Sequence, residues 1–418
     1  MQQNPGKQNK NKNICFITAI LVTGGSDNQL FSICSRLQKL GYDITIYSQH
    51  PQTKFGSKEN TFRDNGIRVS QPPSWIKPVI FTLGGIRYFP HLIVRFFQLP
   101  SKKRLSSQSY RDIYRYIEED FARNIFNYLL IFRIFINNIR DNYRLICAYH
   151  ASTYKALYQL KHLLKIPIFY TEISSPKYRS RFTINPQMIE EYLNSFDKVF
   201  VPSKIIGEEL ERYEGLRKQF EVIPFFIDLP EYNYRPPNKP AQTFGVMARL
   251  SREKNHEVLI NACSKVLEKI PEAKLIFVGN GPQAEEYMQL TKELGLSESI
   301  CFLEPYKKID DVIHLIDIIT LCSDVEGMPL SLLEALYFGK PIISTPVGSV
   351  PDMVINGCNG YIVEKNSSGD LANSLISIMG DMEKYQKMSM FSRQHYFTCF
   401  EPEEQFNKML AHIESACK

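Results

Sequence analysis

The sequence lacks any uninterrupted apolar run approaching the roughly 20 residues that span a bilayer. Its opening stretch, Met1 to Asn13, is rich in Lys, Asn and Gln and has no apolar core. It therefore reads as a disordered tail over residues 1–12 rather than a signal peptide. Cys-x-x-Cys is absent, and the nine cysteines are odd in number and far apart, which argues against a disulfide framework and a zinc site. Several sit in apolar, strand-like runs and read as reduced, buried thiols of a cytosol-facing protein. The full Gly-x-Gly-x-x-Gly fingerprint is missing, which counts against a nicotinamide enzyme. No recognised nucleic-acid motif accompanies the basic residues, so nucleic acid is not expected as a partner.

What is present suits a globular protein: 418 residues, 44% hydrophobic and 22% charged, enough for two domains with full cores. The net charge of +6 conceals an asymmetry. Through Pro240 there are 34 Lys and Arg against 20 Asp and Glu (net +14); from Ala241 onward the count is 16 against 24 (net −8). Between Lys77 and Arg144 lie 12 basic and 5 acidic residues. There Phe81, Phe89, Phe96 and Phe97 interleave with Lys77, Arg87 and Arg95 and lead to Lys102-Lys103-Arg104. A helical pattern from Asp120 to Arg140 then carries Phe121, Ile125, Leu129, Phe132 and Phe135 beside Arg123, Arg133 and Arg140. Basic residues among aromatics suit peripheral docking on an anionic membrane surface. The alternative is a core helix with a solvated basic face.

The hydrophobic pattern opens as strand, glycine loop, helix, strand. Asn13–Ile20 is followed by Thr23-Gly24-Gly25-Ser26, then by Leu30, Ile33, Cys34, Leu37 and Leu40 at helical spacing up to Gly41, then by Asp43–Ser48. This is the start of a parallel α/β domain, expected over 13–230. Further strands are expected at Leu145–Tyr149, Ile168–Tyr170, Lys198–Pro202 and Glu221–Ile227. His150 and Glu172 stand at strand ends, where parallel sheets bind ligands. Residues 229–242 hold four prolines and read as a linker. A second α/β domain is expected over 243–390, with strands at Thr243–Met247, Ala273–Val278, Ser299–Leu303, Ile316–Leu321, Pro341–Ser344 and Gly360–Val363. Helices follow from Asp370.

Within the second domain the stretch Ser323–Gly339 stands out. Pro329 suits the first turn of a helix that Gly339 and Pro341 stop, and Glu326 and Glu334 lie either side of the helix start. Free N–H groups at that start favour an anion. An acid, an anion cradle and a second acid match the layout of a sugar nucleotide; the bland alternative is two solvated acids on a surface helix. Arg249 and Lys254, after the domain's first strand, suit a diphosphate. Gly279-Asn280-Gly281 opens another strand-to-helix turn.

These pieces together resemble the nucleotide-binding domain of a GT-B glycosyltransferase, specifically the retaining glycosyltransferase family four. The resemblance runs through Gly245-Val-Met-Ala-Arg249-Leu to Lys254, Phe277-Val-Gly-Asn-Gly-Pro282, Glu326-Gly-Met-Pro-Leu-Ser-Leu-Leu-Glu334-Ala, Gly339-Lys-Pro-Ile-Ile-Ser344 with Val347-Gly348, and Asn359-Gly360. It implies two Rossmann-like parallel α/β domains facing across a cleft, with C-terminal helices over 391–418 crossing back to the first. By that resemblance Arg249 and Lys254 bind the donor diphosphate, Glu326 the transferred sugar and Glu334 the ribose. The backbone of Ser331, Leu332 and Leu333 meets phosphate, and Gly24, Gly25, Gly279 and Gly281 line the nucleotide. Asp27 matches the acidic residue that follows the glycine pair. The implied activity is transfer of a hexose, with retention, from a UDP- or GDP-sugar to a glycan acceptor, expected to be lipid-linked and presented at the cytosolic membrane face. No metal is expected, in keeping with the absence of Asp-x-Asp. Two departures stand out: Ile173 occupies the position where many relatives carry His, and Phe225 replaces an Asn. Glu172, beside Ile173, is the candidate to take over part of the missing contact. A GT-B protein that binds without transferring, or an enzyme making a small soluble glycoside, are the alternatives.

Overall fold

The computed structural model describes residues 12–19, 21, 25–50, 59–73, 107–179, 186–306 and 308–418, with side chains after 107 described from 124 to 179 and from 187. The first sheet has seven strands: β1 (Asn13–Thr18), β2 (Asp43–Ser48), β3 (Arg68–Ser70), β4 (Leu145–Tyr149), β5 (Ile168–Thr171), β6 (Lys198–Val201) and β7 (Glu221–Val222). They run parallel in the order β3-β2-β1-β4-β5-β6-β7. The strand period of two sorts side chains by face. In β1, Ile14 and Phe16 enter one apolar cluster, while Cys15 and Ile17 enter the other. Helix Gly25–Lys39 covers the first face through Leu30, Ile33 and Leu37; helix Tyr154–Leu164 covers the second through Leu157 and Leu160.

The second sheet has six strands: β8 (Thr243–Met247), β9 (Lys274–Val278), β10 (Ile300–Leu303), β11 (Ile318–Leu321), β12 (Ile342–Ser344) and β13 (Gly360–Ile362). These are also parallel, in the order β10-β9-β8-β11-β12-β13. The run from Ile316 becomes a strand only at Ile318, because a 3-10 turn occupies Ile313–Leu315. Asp317 marks the changeover. One of its carboxylate oxygens accepts from Gln242 N, Thr243 N and Thr243 Oγ1, each at 2.9 Å.

Two chain crossings differ from the expected boundaries. The strand expected over Glu221–Ile227 pairs only through Glu221–Val222, after which the chain leaves the sheet and Phe225 and Ile227 pack into the second domain's core. Residues 229–242 form no regular element, but the segment is fastened to the second domain rather than free. Tyr232 packs against Phe338 at 4.8 Å with the rings tilted, Tyr234 shares a 2.9 Å hydrogen bond with Ser389, and the Arg393 guanidinium lies over the rings of Tyr232 and Tyr234 at 5.7 and 5.8 Å. The return crossing falls at Phe400, not 391. Helix Met382–Cys399 is continuous and buries Tyr385, Met388 and Tyr396 in the second domain. Helix Pro402–Ala416 then places Phe406, Met409 and Ile413 in the first domain's core.

Arg36 ties both crossings together. It pairs with Asp228 at 2.6 Å and with Glu403, and its guanidinium lies over the adjoining rings of Phe226 and Phe406 at 5.9 and 5.6 Å. Of the nine cysteines, all free, Cys15, Cys34, Cys147, Cys263 and Cys322 are buried, but Cys301 and Cys358 are exposed and Cys399 and Cys417 half-buried. Cys301 is the clearest correction to the buried reading: it lies on β10, an edge strand of its sheet. Among the described residues no helix is long and apolar enough to cross a membrane.

Candidate active site

The C-terminal ends of strands from both sheets meet around the segment between β11 and helix Leu330–Tyr337. Gly327 is the closest approach. A Cβ on it would lie 2.2 Å from the Ile173 carbonyl oxygen, in the loop after β5. On its other side Gly348, at φ +53°, leaves no room for a side chain against the carbonyls of Glu326 and Gly327. Gly25, opening the first helix, faces Leu330, with Leu330 Cγ 3.3 Å from where a Cβ would stand. Lys365 of the second domain donates to Tyr178 Oη of the first at 3.0 Å. Gly24 lies outside the described residues, so its expected role at the nucleotide has no geometry here.

Glu326 and Lys254 come together directly. Lys254 Nζ donates to Glu326 Oε1 at 2.6 Å, and Ser323 Oγ donates to the same oxygen at 2.7 Å. Arg249 does not join them: it pairs with Glu253 at 2.7 Å and is largely exposed. Glu253 also accepts from Ser251 Oγ at 2.6 Å. Desolvation would raise its pKa, but the hydrogen bonds from Ser251 and Arg249 outweigh that and bring it to about 2. Both candidate phosphate cations are thus neutralised by carboxylates of their own domain.

The helix bearing Glu334 begins at Leu330, one residue later than expected, with Pro329 as its N-cap in an extended conformation (φ −74°, ψ 114°). Leu332 N and Leu333 N both donate to the Pro329 carbonyl, at 3.1 and 3.4 Å. That narrows the expected anion cradle to the amide of Ser331. Glu334 is buried and accepts from Tyr306 Oη at 2.9 Å. Burial and the Glu334 charge both raise the Tyr306 pKa, so the phenol stays protonated as a donor. Glu334 and Tyr306 line an open cavity of about 330 Å³ together with Asn28 and Ser32 of the first helix and Asp228. Tyr306, Asn28 and Ser32 carried no sequence signal, because only folding brings them beside Glu334.

Gly279 and Gly281 serve a different purpose from an open phosphate cradle. The space their missing Cβ atoms leave is filled by the carbonyls of Ala248 and Leu250, at 2.1 and 2.2 Å from those positions. They let two loops pack backbone to backbone, which sets the course of the Arg249 loop. His256 pins that loop from below: it is buried between Phe277 and Tyr287, and Nε2 donates to the Arg249 carbonyl at 3.0 Å. Burial brings its pKa down to about 4.

Glu172 is a correction. It is fully buried and saturated with donors: Ile173 N at 2.9 Å, Ser174 N at 3.0 Å, Ser174 Oγ at 3.1 Å, Tyr170 Oη at 3.0 Å and the Arg179 guanidinium. Desolvation opposes its charge, but Arg179 overcomes this and holds the carboxyl below its ordinary range. Arg179 also pairs with Glu214, whose pKa burial raises. Glu172 therefore shapes the Ile173 loop and has no oxygen to spare for a sugar. Ile173 itself packs against the cores of both domains. Among the described residues no group of three or more His, Cys, Asp or Glu is arranged to hold a metal ion.

With this geometry in place, the fold is that of the GT-B proteins. The Anabaena protein Alr3699/HepE, solved in complex with UDP, superposes with a TM-score of 0.72 at 18% identity, covering 96% of this chain and 100% of that one. Residues 234–395 match the family model described as glycosyl transferases group 1, so the second domain is similar to that family. N-acetyl-alpha-D-glucosaminyl L-malate synthase of Bacillus anthracis is 26% identical over 217 residues, 50% of this chain and 57% of that protein. Poly(glycerol-phosphate) alpha-glucosyltransferase of Bacillus subtilis (strain 168) is 29% identical over 199 residues, 47% of this chain and 29% of that protein. The chain thus matches little more than half, or less, of the length of these curated relatives.

Replacing Glu172 with Ala leaves Arg179 beside a buried gap, and the cost expected is about 3–5 kcal/mol of stability. Chemical denaturation checks it; unchanged stability with lost turnover would return Glu172 to a chemical role. His256 predicts a pH dependence. Its folded pKa of about 4 lies below the ordinary 6.5, so the unfolded chain takes up the proton first and stability falls as pH drops from about 6.5 towards 4. At pH 5 the loss from this residue is about 2 kcal/mol relative to pH 7. Denaturation at the two pH values should show a correspondingly smaller difference in His256→Gln.

Proposed function

We propose that the protein is a retaining glycosyltransferase that moves a hexose or related sugar from a nucleotide diphosphate sugar, UDP- or GDP-linked, to a glycan acceptor. The observation that carries this reading is the Lys254–Glu326 pair at one end of the Leu330 helix start, with Glu334 in a 330 Å³ cavity at the other end. A diphosphate lying between them exchanges one carboxylate partner for another anion: Lys254 turns from Glu326, and Arg249 from Glu253, towards phosphate. Glu326 is then released to accept hydrogen bonds from the sugar, and Glu334 from the ribose. In the transfer, the bond from the anomeric carbon to the phosphate oxygen breaks and its electron pair leaves with the diphosphate. The acceptor hydroxyl oxygen bonds the same carbon, and its proton passes to the departing phosphate. Arg249, Lys254 and the Ser331 amide supply the positive field that stabilises this leaving group, without a metal ion. The names of the relatives, an N-acetylglucosaminyl malate synthase and an alpha-glucosyltransferase, support a nucleotide-sugar chemistry.

We further place the acceptor at a membrane, lipid-linked, in polysaccharide or glycolipid synthesis at the cytosolic face. The support is a stripe on helix Ser107–Asp141, where Tyr128, Phe132, Phe135, Ile136 and Ile139 are exposed on one face at helical spacing. The described arginines contribute little to it. Arg133 is turned inward, donating to the carbonyls of Ser48 and Ser70, and Arg140 pairs with Asp141. The basic residues from Lys77 to Arg104 lie outside the described residues.

UDP or GDP is expected to raise the melting temperature, and the matching nucleotide sugar to be turned over in a radiolabelled-donor assay. Glu326→Ala and Lys254→Ala should each lower turnover by about 10²–10³-fold; wild-type rates in both would end the assignment. Flotation with liposomes is expected to carry the protein, and Phe132→Ser/Ile139→Ser to reduce it. Equal flotation of that variant, or none by the wild type, favours an acceptor free in solution.

A further inference from the structure

His150 is used by none of the chemistry above, and its setting is unusual. It follows directly on β4, whose neighbours in the sheet are β1 and β5. The segments leaving those two strands lead to Gly25 and Ile173, the two points at which the first domain touches Leu330 and Gly327. His150 therefore stands on the first domain's wall of the cleft, between the two contacts that flank the sugar-binding Glu326. Its backbone has φ 90° and ψ 123°, a conformation side-chain-bearing residues rarely adopt. Such strain persists where the surroundings hold the residue in place, and it concentrates at functional positions.

A polar chain does the holding. Gln49 and Asn127 are buried, and Gln49 Nε2 donates to Asn127 Oδ1 at 2.7 Å. That leaves Gln49 Oε1 to accept from Ser152 Oγ at 3.0 Å. Ser152 in turn holds the His150 ring through Nδ1: its backbone N–H donates to Nδ1 at 3.4 Å, and its hydroxyl lies 3.0 Å from the same nitrogen. Both contacts use Nδ1 of the neutral ring, so Nε2 is the nitrogen left for a ligand, on an exposed side chain. Neutrality follows from the surroundings, since desolvation lowers the His150 pKa.

We infer that His150 is an acceptor-binding residue: Nε2 hydrogen-bonds a hydroxyl of the incoming glycan and orients the acceptor towards the sugar held at Glu326. This rests on the transferase reading above. It gives the first domain a polar contact at the point where Ile173 supplies none and Glu172 is spent.

The test uses the full chain labelled with ¹⁵N-histidine, with UDP or GDP as nucleotide and methyl glycosides of glucose, galactose and N-acetylglucosamine as acceptor probes. The expected spectra show a glycoside moving the His150 Nε2 resonance when nucleotide is bound. His150→Ala should weaken that glycoside's binding by about tenfold, the loss of one hydrogen bond, with His150→Gln recovering most of it. Nucleotide-induced melting shifts should be the same in all three proteins. A resonance that no glycoside moves, or variants that bind glycoside as the wild type does, would each overturn the inference. If neither nucleotide shifts the melting temperature of the wild type, the donor reading fails separately, and the His150 response is read with glycoside alone.

Discussion

Gly327 has no room for a side chain, and the cleft depends on that. The Ile173 carbonyl of one domain lies where its Cβ would be, and Gly348 closes from the other side with a backbone only glycine adopts easily. Two domains that bury their own cores need no contact at their strand ends. Here the contact exists because three backbones stack without side chains between them, which places Glu326, the residue before Gly327, at the seam. The Arg36 clamp on Asp228 and Glu403 works at the opposite level, tying both chain crossings to one helix of the first domain. The seam and the clamp together define how far the domains stand apart.

Charge in the cleft is balanced internally. Lys254 is paired with Glu326 and Arg249 with Glu253, so each cation is held in a compact arrangement by a carboxylate rather than facing solvent alone. The two pairs are unequal. Lys254 and Glu326 are mostly shielded, whereas Arg249 is largely exposed, and an exposed pair is worth little to stability. Exchanging Arg249 onto an anion therefore costs less than exchanging Lys254. Beneath them, His256 and the Gly279 and Gly281 contacts fix the loop backbone, so a change of partner is confined to side chains.

Much of the architecture was legible from residue patterns. The strand–glycine loop–helix opening at Asn13–Gly41 and the apolar runs of the second domain follow from periodicity that one buried face imposes. Element ends were less legible. Ile316 is as apolar as Ile318, yet Asp317 must lie outside the strand for its carboxylate to receive the amides of residues 242 and 243. Phe391 and Phe400 look alike in a Phe-rich tail, and only the packing of Tyr396 and Phe400 against the second core moves the crossing to the latter. Arg133 looked like part of a basic face, but long side chains on a helix turn inward when backbone carbonyls are within reach.

By itself the sequence determined two parallel α/β units, the spacing that sets Glu326 and Glu334 on either side of a helix start, and the cations Arg249 and Lys254 in an adjoining loop. These are properties of neighbours along the chain or of a single face. Tertiary structure alone decided which of these groups meet, since hydrogen bonds between distant segments have no signature in local pattern. It joined Lys254 to Glu326 across 72 positions, set Tyr306 on Glu334, and consumed Glu172 in a buried network. It also left His150, a strand-end histidine indistinguishable in sequence from a packed one, strained and with one ring nitrogen facing outward from the cleft wall.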